Sequence, residues 1–221
     1  MKIPVSNVLL KATDALVLFS SPHSTLVQHY PLTESGGQLI FGAGAAVTDT
    51  FFAELAQRAH SSLMFLPGEV LGFSTHEMIW WEPAKKRGLF FHESSSVQIQ
   101  EPIPLPALLF RVTATGAMSV YALNGDARPD LDTQLYHAPL MNVFGNQQVC
   151  LGSTELPDHL DPRRTAEYSE AYFRSAFTHG RPQLLTEQPY AAVLHEAARQ
   201  GTFPTTLLKP TGKTLAELFG S

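Results

Sequence analysis

The sequence predicts an α+β protein in which strands dominate as far as residue 123 and helices follow a lone cysteine. Three observations support this prediction. Short apolar runs separated by turn residues fill positions 5–46, a pattern typical of antiparallel strands. Four further strand candidates lie between residues 78 and 123, after one segment with helical spacing. Helical spacing returns only after Cys150, together with residues that favour helix ends.

The N-terminal region is expected to form an antiparallel sheet. Two groups of turn residues, Ser20–Pro22 and Glu34–Gly37, interrupt its apolar runs. The strand candidates are Val5–Leu10, Ala15–Phe19, Thr25–Tyr30 and Gln38–Phe41. We therefore predict a β extension over residues 1–46 and a separate domain over residues 47–221.

A helix is predicted at the start of the second region. Thr48 can serve as its N-cap, and Asp49 carries a negative charge near the positive end of the helix dipole. The apolar residues that recur at helical spacing are Phe51, Phe52, Leu55, Ala56 and Ala59. This pattern indicates a helix with one buried face.

A four-stranded antiparallel meander is predicted next. Met78–Trp81 and Arg87–His92 are expected to pair as a hairpin. Leu105–Thr113 and Met118–Leu123 are expected to form a second hairpin, joined near Gly116. Prolines at positions 102, 104 and 106 keep the segment between the two hairpins extended.

Three helices are predicted in the C-terminal part of the chain. The first should begin at an Asp-Pro pair and end at a glycine, because aspartate caps helix N-termini and glycine suits C-terminal caps. The second should open at a proline and end at a glycine, and a threonine should cap a last, short helix. In chain order, these boundary residues are Asp161, Pro162, Gly180, Pro189, Gly201 and Thr214.

Composition excludes several classes of function. The 15 Lys and Arg residues are outnumbered by 20 Asp and Glu residues, and no block of like charges occurs. A nucleic-acid or membrane-surface role is therefore not expected. No apolar run approaches the length of about 20 residues that a membrane helix needs. Because one cysteine allows no internal disulfide and no signal peptide is recognised, a cytoplasmic location is expected.

The most informative segment runs from Met141 to Leu151. It contains the only cysteine, Cys150, and places an asparagine, Asn142, eight positions upstream across a Gly/Asn turn. A thiol is the best nucleophile among the side chains at neutral pH. An asparagine amide can donate a hydrogen bond to an oxyanion that forms on a nearby carbonyl. Turn residues on both sides of Cys150 favour a position near the surface, where a thiolate can react.

This segment resembles the active-site stretch of ubiquitin-conjugating enzymes, in which an asparagine precedes a Cys-Leu pair by the same spacing. Within that superfamily, Pro139–Phe144 and Val149–Gly152 are similar to the bacterial family called PRTRC system protein B. The resemblance implies a ubiquitin-conjugating-like core, made of a helix, a four-stranded meander, a loop with the active-site cysteine and C-terminal helices. The N-terminal antiparallel sheet would be an addition to that core.

The resemblance also implies an activity and a set of partners. Cys150 would accept a ubiquitin-like protein as a thioester, and Asn142 would support the oxyanion that forms when an amine attacks. The implied partners are a ThiF-type adenylating enzyme and a ubiquitin-like β-grasp protein, with a JAB-type metalloprotease in the same system. No metal or organic cofactor is expected, since the adenylating enzyme would consume the ATP.

The chain departs from the family pattern around this segment. The usual His-Pro before the asparagine is replaced by Leu140–Met141, and His137–Pro139 lies out of register. Both tryptophans precede the cysteine, whereas one usually follows it. A non-catalytic adaptor of the same fold, which binds a ubiquitin-like partner, is therefore an alternative.

A thiol hydrolase is a second alternative. His137 or His159 could act as the base for Cys150, with Asp158 or Asp161 orienting the imidazole. No known hydrolase signature surrounds the cysteine. The simplest interpretation of the motif involves no catalysis: the cysteine would pack as a small hydrophobe, and the asparagine would bond the local backbone.

Overall fold

The chain divides into two compact units, Met1–Phe65 and Leu66–Ser221. The structure, a computed structural model, describes residues 2–5, 8–21, 24–52, 55, 64–93, 95, 97 and 99–219. The predicted domain boundary between residues 46 and 47 lies inside the first unit. It stays a prediction about where the conjugating-type domain begins.

The first unit is built from antiparallel strands, as the apolar runs predict. Its strands are β1 (Lys2–Val5), β2 (Val8–Lys11), β3 (Asp14–Ser20), β4 (Thr25–Ser35), β5 (Gln38–Phe41) and β6 (Ala45–Ala46). Strands β1 and β2 pair with each other, so the run Val5–Leu10 is divided between two strands and does not form one. Strand β4 lies between β3 and β5 and also pairs with β6.

The helix predicted after residue 47 begins where its cap predicts. The Thr48 hydroxyl accepts a hydrogen bond from the Phe51 N–H at 3.2 Å, and the Phe52 N–H donates to the Thr48 carbonyl. Residues 49–52 and 55 are helical. The predicted positions Ala56 and Ala59 lie outside the described residues.

The second unit is centred on a six-stranded antiparallel sheet. The strands of this unit, six of which form the central sheet, are β7 (Val70–Phe73), β8 (Glu77–Glu82), β9 (Lys85–Arg87), β10 (Phe90–Phe91), β11 (Ile103–Leu105), β12 (Leu108–Thr113), β13 (Met118–Ala122), β14 (Gln134–His137), β15 (Ala176–Phe177) and β16 (Pro210–Thr214). The sheet has the order β16-β14-β13-β12-β8-β7. The predicted hairpin of β12 and β13 is confirmed, with Gly116 at φ +82° in its turn.

The predicted hairpin between Met78–Trp81 and Arg87–His92 does not form. Strand β8 pairs with β7 and β12, whereas β9 pairs with β11 and β10 pairs in parallel with β15. The physical reason is that β7 and β12 occupy the two edges of β8, so no edge is left for the segment that begins at Arg87. Strand β9 instead continues in the direction of β8 and keeps its register, since Leu108 pairs with Glu82 and Leu105 pairs with Lys85.

A buried polar cluster lies between β8 and β9, where Arg87 binds the carboxylate of Glu82. The Ser169 hydroxyl donates to Glu82 at 2.6 Å, Arg87 also binds Glu170, and its guanidinium lies 4.3 Å from the centre of the Phe173 ring. Burial by itself would raise the pKa of Glu82. The hydrogen bond from Ser169 and the charge of Arg87 outweigh that effect and hold the pKa below its ordinary value.

Apolar residues pack on both faces of the central sheet. Consecutive residues of β12, such as Leu109 and Phe110, belong to different clusters, because successive side chains of a strand point to opposite faces of the sheet. The larger cluster joins the sheet to helix α1 (Thr165–Phe173) and helix α2 (Tyr190–Gln200). The smaller cluster includes Leu215 and Leu218 near or in the short helix α3 (Ala216–Phe219).

Most of the predicted helix ends are confirmed. Asp161 caps a 3-10 turn, Pro162–Arg164, which leads into α1, and Gly201 ends α2 in the left-handed conformation. Helix α1 ends at Phe173, before the predicted Gly180, because the chain enters strand β15 there. At α3 the Glu217 carboxylate provides the capping contact, and it accepts a hydrogen bond from the N–H of Thr214, the residue predicted as the cap.

The cap at Asp161 leads to a prediction about acid stability. The hydrogen bonds from Arg163 lower the pKa of Asp161 from 3.8 to about 2. A carboxyl with a lowered pKa in the folded state stabilises the fold above its ordinary pKa, and the contribution is lost as the pH falls through the folded value. Asp161→Ala should therefore lower the free energy of unfolding by about 1 kcal/mol at pH 7. The difference from wild type should shrink as the pH falls from 3.8 towards 2.

Urea unfolding at a series of pH values measures this difference. Asp161→Asn is the matched control, because asparagine retains a capping oxygen but has no charge to titrate. It should cost less than the alanine variant at neutral pH. An alanine effect that is the same at pH 2 and pH 7 would contradict the assignment.

Candidate functional site

Asn142 and Cys150 face each other across a tight hairpin. The Cys150 N–H donates to the Asn142 carbonyl at 2.7 Å, and the Phe144 N–H donates to the Gln148 carbonyl at 2.8 Å. Between these bonds, Val143 and Val149 form an antiparallel bridge. The eight-residue spacing of the motif thus places the asparagine directly opposite the cysteine.

The hairpin pairs with the part of the β13 edge that β14 leaves unpaired. The Val149 N–H donates to the Met118 carbonyl at 2.8 Å, and the Val120 N–H donates to the Gln147 carbonyl at 3.0 Å. This pairing continues along β13 where the register with β14 ends. Cys150 is therefore the first residue beyond the segment that is held by the sheet.

The side chain of Asn142 connects the hairpin to residues 176–179. Its Oδ1 accepts from the Thr178 N–H at 3.1 Å and the His179 N–H at 3.3 Å, and its Nδ2 donates to the Ala176 carbonyl at 2.9 Å. The residue is 3% exposed and has φ +58°, a left-handed conformation that asparagine tolerates well. These contacts give Asn142 a structural role, but its side chain bonds a segment 34–37 residues away and not the local backbone that the simplest interpretation expects.

Cys150 is half-buried and carries a free thiol. None of the hydrogen bonds that join the described residues involves its sulfur. The following residue, Leu151, packs against the main apolar cluster, and Gly152 at φ +56° begins a turn away from the sheet. The thiol therefore lies at the boundary between the core and the surface, on a backbone that is held on both sides.

Leu140 and Met141, which replace the usual His-Pro, are buried in the main apolar cluster. Their segment is held by two tyrosine hydroxyls. Tyr172 of α1 donates to the Met141 carbonyl at 2.8 Å, and Tyr190 of α2 donates to the Pro139 carbonyl at 2.7 Å. Burial raises the pKa of both phenols, so they remain neutral donors.

Gln147 is a further buried residue of the hairpin that the motif does not identify. It is 3% exposed and adopts φ +72°. Its side-chain amide contacts His137, Ala138 and Gly145. Four residues hold the motif through tertiary contacts: Gln147, Tyr172, Thr178 and Tyr190. Of these, only Gln147 had a signal in the sequence, namely the polar character of the turn.

Neither candidate histidine is bonded to the cysteine in the part of the chain that the structure describes. His137 Nδ1 contacts the Gln147 amide, and the His159 carbonyl accepts from Tyr168. Asp161 binds Arg163. The structure therefore does not assemble the Cys-His pair that the hydrolase alternative requires.

A groove of about 580 Å³ begins at the residue after Cys150. Two hairpin turns and the loop that follows the cysteine form its walls. Its lining residues are Phe73, Ser74, Thr75, Val112, Thr113, Ala114, Thr115, Gly116, Leu151, Thr154, Leu156, Pro157, Asp158, His159 and Leu160. Several of these residues carry hydroxyl groups, and the lining begins one residue after Cys150.

Comparison with protein families agrees with this geometry. Residues 47–211, about three quarters of the chain, match the model of prokaryotic E2 family D, so the chain belongs to that family. The expected relation to bacterial ubiquitin-conjugating-like proteins is thereby confirmed at the level of the family. The comparisons with curated proteins and with solved structures gave no significant match. Among the helices described, none has the length and apolarity needed to cross a membrane.

The contacts of Asn142 predict a large stability effect. Asn142→Ala removes the side-chain hydrogen bonds to the Ala176 carbonyl and to the N–H groups of Thr178 and His179, and each bond contributes about 0.5–1.5 kcal/mol. We expect the free energy of unfolding to fall by about 1–3 kcal/mol in total. The measurement is denaturant unfolding at neutral pH.

Asn146→Ala provides the matched comparison for this prediction. Asn146 lies in the same hairpin but is exposed, and its Oδ1 accepts only from the Gln148 N–H. Its removal should cost under about 1 kcal/mol. Equal effects of the two substitutions would contradict the structural role of Asn142.

Proposed function

We propose that the chain is a carrier of ubiquitin-conjugating type that accepts a ubiquitin-like protein on Cys150 as a thioester and transfers it to an amine. The observation that supports this proposal most is the hairpin itself. In a chain of an E2 family, the only cysteine is half-buried, opposite Asn142, on a backbone bonded to the sheet. A nucleophile in a fixed position is what covalent acyl transfer needs.

The first proposed step forms the thioester. The Cys150 thiolate attacks the carbonyl carbon of a ubiquitin-like protein whose C-terminal carboxyl has been adenylated. A C–S bond forms, the C–O bond to AMP breaks, and the thiol proton leaves to solvent. The acyl adenylate is supplied by an adenylating enzyme at the cost of ATP.

The second proposed step transfers the acyl group. An amine nitrogen, such as that of a lysine, attacks the thioester carbonyl, and a C–N bond forms as the C–S bond breaks. The amine loses one proton, and Cys150 leaves as a thiolate. The Asn142 Nδ2 donates one of its two N–H groups to Ala176, and the second is the donor proposed for the oxyanion.

The narrower relation to PRTRC system protein B defines the partners in this proposal. They are a ThiF-type adenylating enzyme and a ubiquitin-like β-grasp protein, with a JAB-type metalloprotease in the same system. The proposed setting is the bacterial cytoplasm. In this proposal, the groove lined by Leu151, the residue after Cys150, receives an extended segment of the acceptor or of the modifier.

The adaptor of the same fold is the second candidate. Two observations favour it: Leu140 and Met141 are buried where the family usually has His-Pro, and the Asn142 amide is already bonded to residues 176–179. An adaptor would use the same hairpin as a rigid binding surface and would form no covalent bond. The two candidates differ in whether Cys150 is needed.

A charging assay tests the proposal. The protein is mixed with ATP, the adenylating enzyme and the ubiquitin-like protein encoded beside it, and the products are separated without reductant. We expect an adduct that thiol reductant removes and that Cys150→Ala abolishes. Since the chain has no other cysteine, a thioester can form only on Cys150. Cys150→Ser should give an oxygen ester, which resists thiol reductant.

Asn142→Ala separates loading from transfer in the same assay. Loss of an oxyanion donor should slow transfer to an amine by about 10²–10³ while affecting loading much less. The assay is run at a temperature at which the variant is folded. If wild type forms no adduct although its partners are active and it binds the ubiquitin-like protein, the carrier proposal is wrong and the adaptor is the better account.

A further inference from the structure

The amide of Gln147 links the cysteine hairpin to strand β14. Its Nε2 lies 2.6 Å from His137 Nδ1 and donates to the Gly145 carbonyl at 3.1 Å. Its Oε1 accepts from the Ala138 N–H at 3.2 Å. A buried glutamine thus connects the hairpin turn with two consecutive residues at the end of the neighbouring strand.

The orientation of this amide is fixed by groups that cannot change their role. The Ala138 N–H is only a donor, so it requires the amide oxygen, and the Gly145 carbonyl is only an acceptor, so it requires the amide nitrogen. The nitrogen then presents its other hydrogen to His137 Nδ1. That ring nitrogen can accept a hydrogen bond only when it carries no proton.

We propose that Gln147 and His137 form a lock that positions Cys150, and that the lock is closed only while His137 is neutral. Protonation of Nδ1 would place two donors against each other and release Gln147 from β14. Rotation of the amide would not repair the contact, because it would set its nitrogen against the Ala138 N–H. The role of the lock in acyl transfer rests on the proposed function. The pH-dependent contact between Gln147 and His137 does not.

The surroundings of His137 favour the closed state at neutral pH. Burial and the positive charge of Lys209 lower the pKa of His137 below its ordinary value of 6.5. Lys209 comes from the segment before β16, and its carbonyl accepts the His137 N–H, while Tyr121 lies opposite on β13. No acidic group contributes to the shift. The lock therefore stabilises the hairpin above the ordinary histidine pKa and loses this effect as the pH falls through the lowered value.

Three proteins test the lock through the reactivity of Cys150 with iodoacetamide. His137→Asn offers an oxygen in place of Nδ1, so it can accept from Gln147 but cannot be protonated. Gln147→Met has a similar shape but makes none of the three bonds. Both variants are compared with wild type over the pH range in which His137 titrates. NMR follows this titration through the imidazole signal of wild type that is missing from the spectrum of His137→Asn.

Rates are expressed as ratios to wild type at each pH, because ionisation of the thiol affects all three proteins alike. Near pH 7.5, His137→Asn should react about as fast as wild type. Gln147→Met should react at least roughly fivefold faster, because a loosened hairpin exposes the half-buried thiol and even one lost hydrogen bond costs about 1 kcal/mol. Below the pKa of His137, wild type should approach Gln147→Met and should exceed His137→Asn by the same factor. His195→Asn, an exposed histidine of α2, should follow wild type throughout.

A ratio of wild type to His137→Asn that stays constant across the imidazole titration would overturn the proposal. This readout does not depend on Gln147→Met being folded. It also needs no partner protein, so it is separate from the charging assay. A failed charging assay with an intact pH step would leave the lock established and the carrier function refuted.

Discussion

The site depends first on the bonds made by one buried asparagine. Asn142 uses its backbone carbonyl to hold Cys150, its backbone N–H to bind His179, and its side chain to bind Ala176 and Thr178. One residue therefore joins the cysteine hairpin to the chain that follows helix α1. Because one buried residue makes all of these bonds, opening the joint breaks several hydrogen bonds at once.

Two further anchors complete the frame around the cysteine. The hydroxyls of Tyr172 and Tyr190 hold the approach to the hairpin, and Gln147 holds its turn against the end of β14. All three anchors act on backbone or neutral groups, so the frame requires no ion pair near the thiol. The hairpin is thus fixed on three sides, while the sulfur of Cys150 takes part in no described hydrogen bond. That combination suits the proposed role of Cys150 as an acyl carrier.

The sequence predicted what local chemistry determines. Asp161 and Gly201 mark helix ends because caps depend on neighbouring backbone, and the β12–β13 hairpin forms around Gly116 for the same reason. The partner strands of β9 and β10 were not predictable, because β9 follows the register of β8 and β12, and β10 pairs with a segment far along the chain. The motif likewise identified a cysteine-asparagine pair but not its anchors, which reach it from residues far along the chain.

Amide hydrogen exchange of Cys150 and Thr178 tests the central joint most directly. Both N–H groups donate to Asn142, one to its carbonyl and one to its side chain. The account predicts that both amides exchange slowly and at similar opening free energies in wild type, and that Asn142→Ala accelerates both while central amides of β12 change only with global stability. Fast exchange of the Cys150 amide in wild type, with Thr178 protected, would contradict the account.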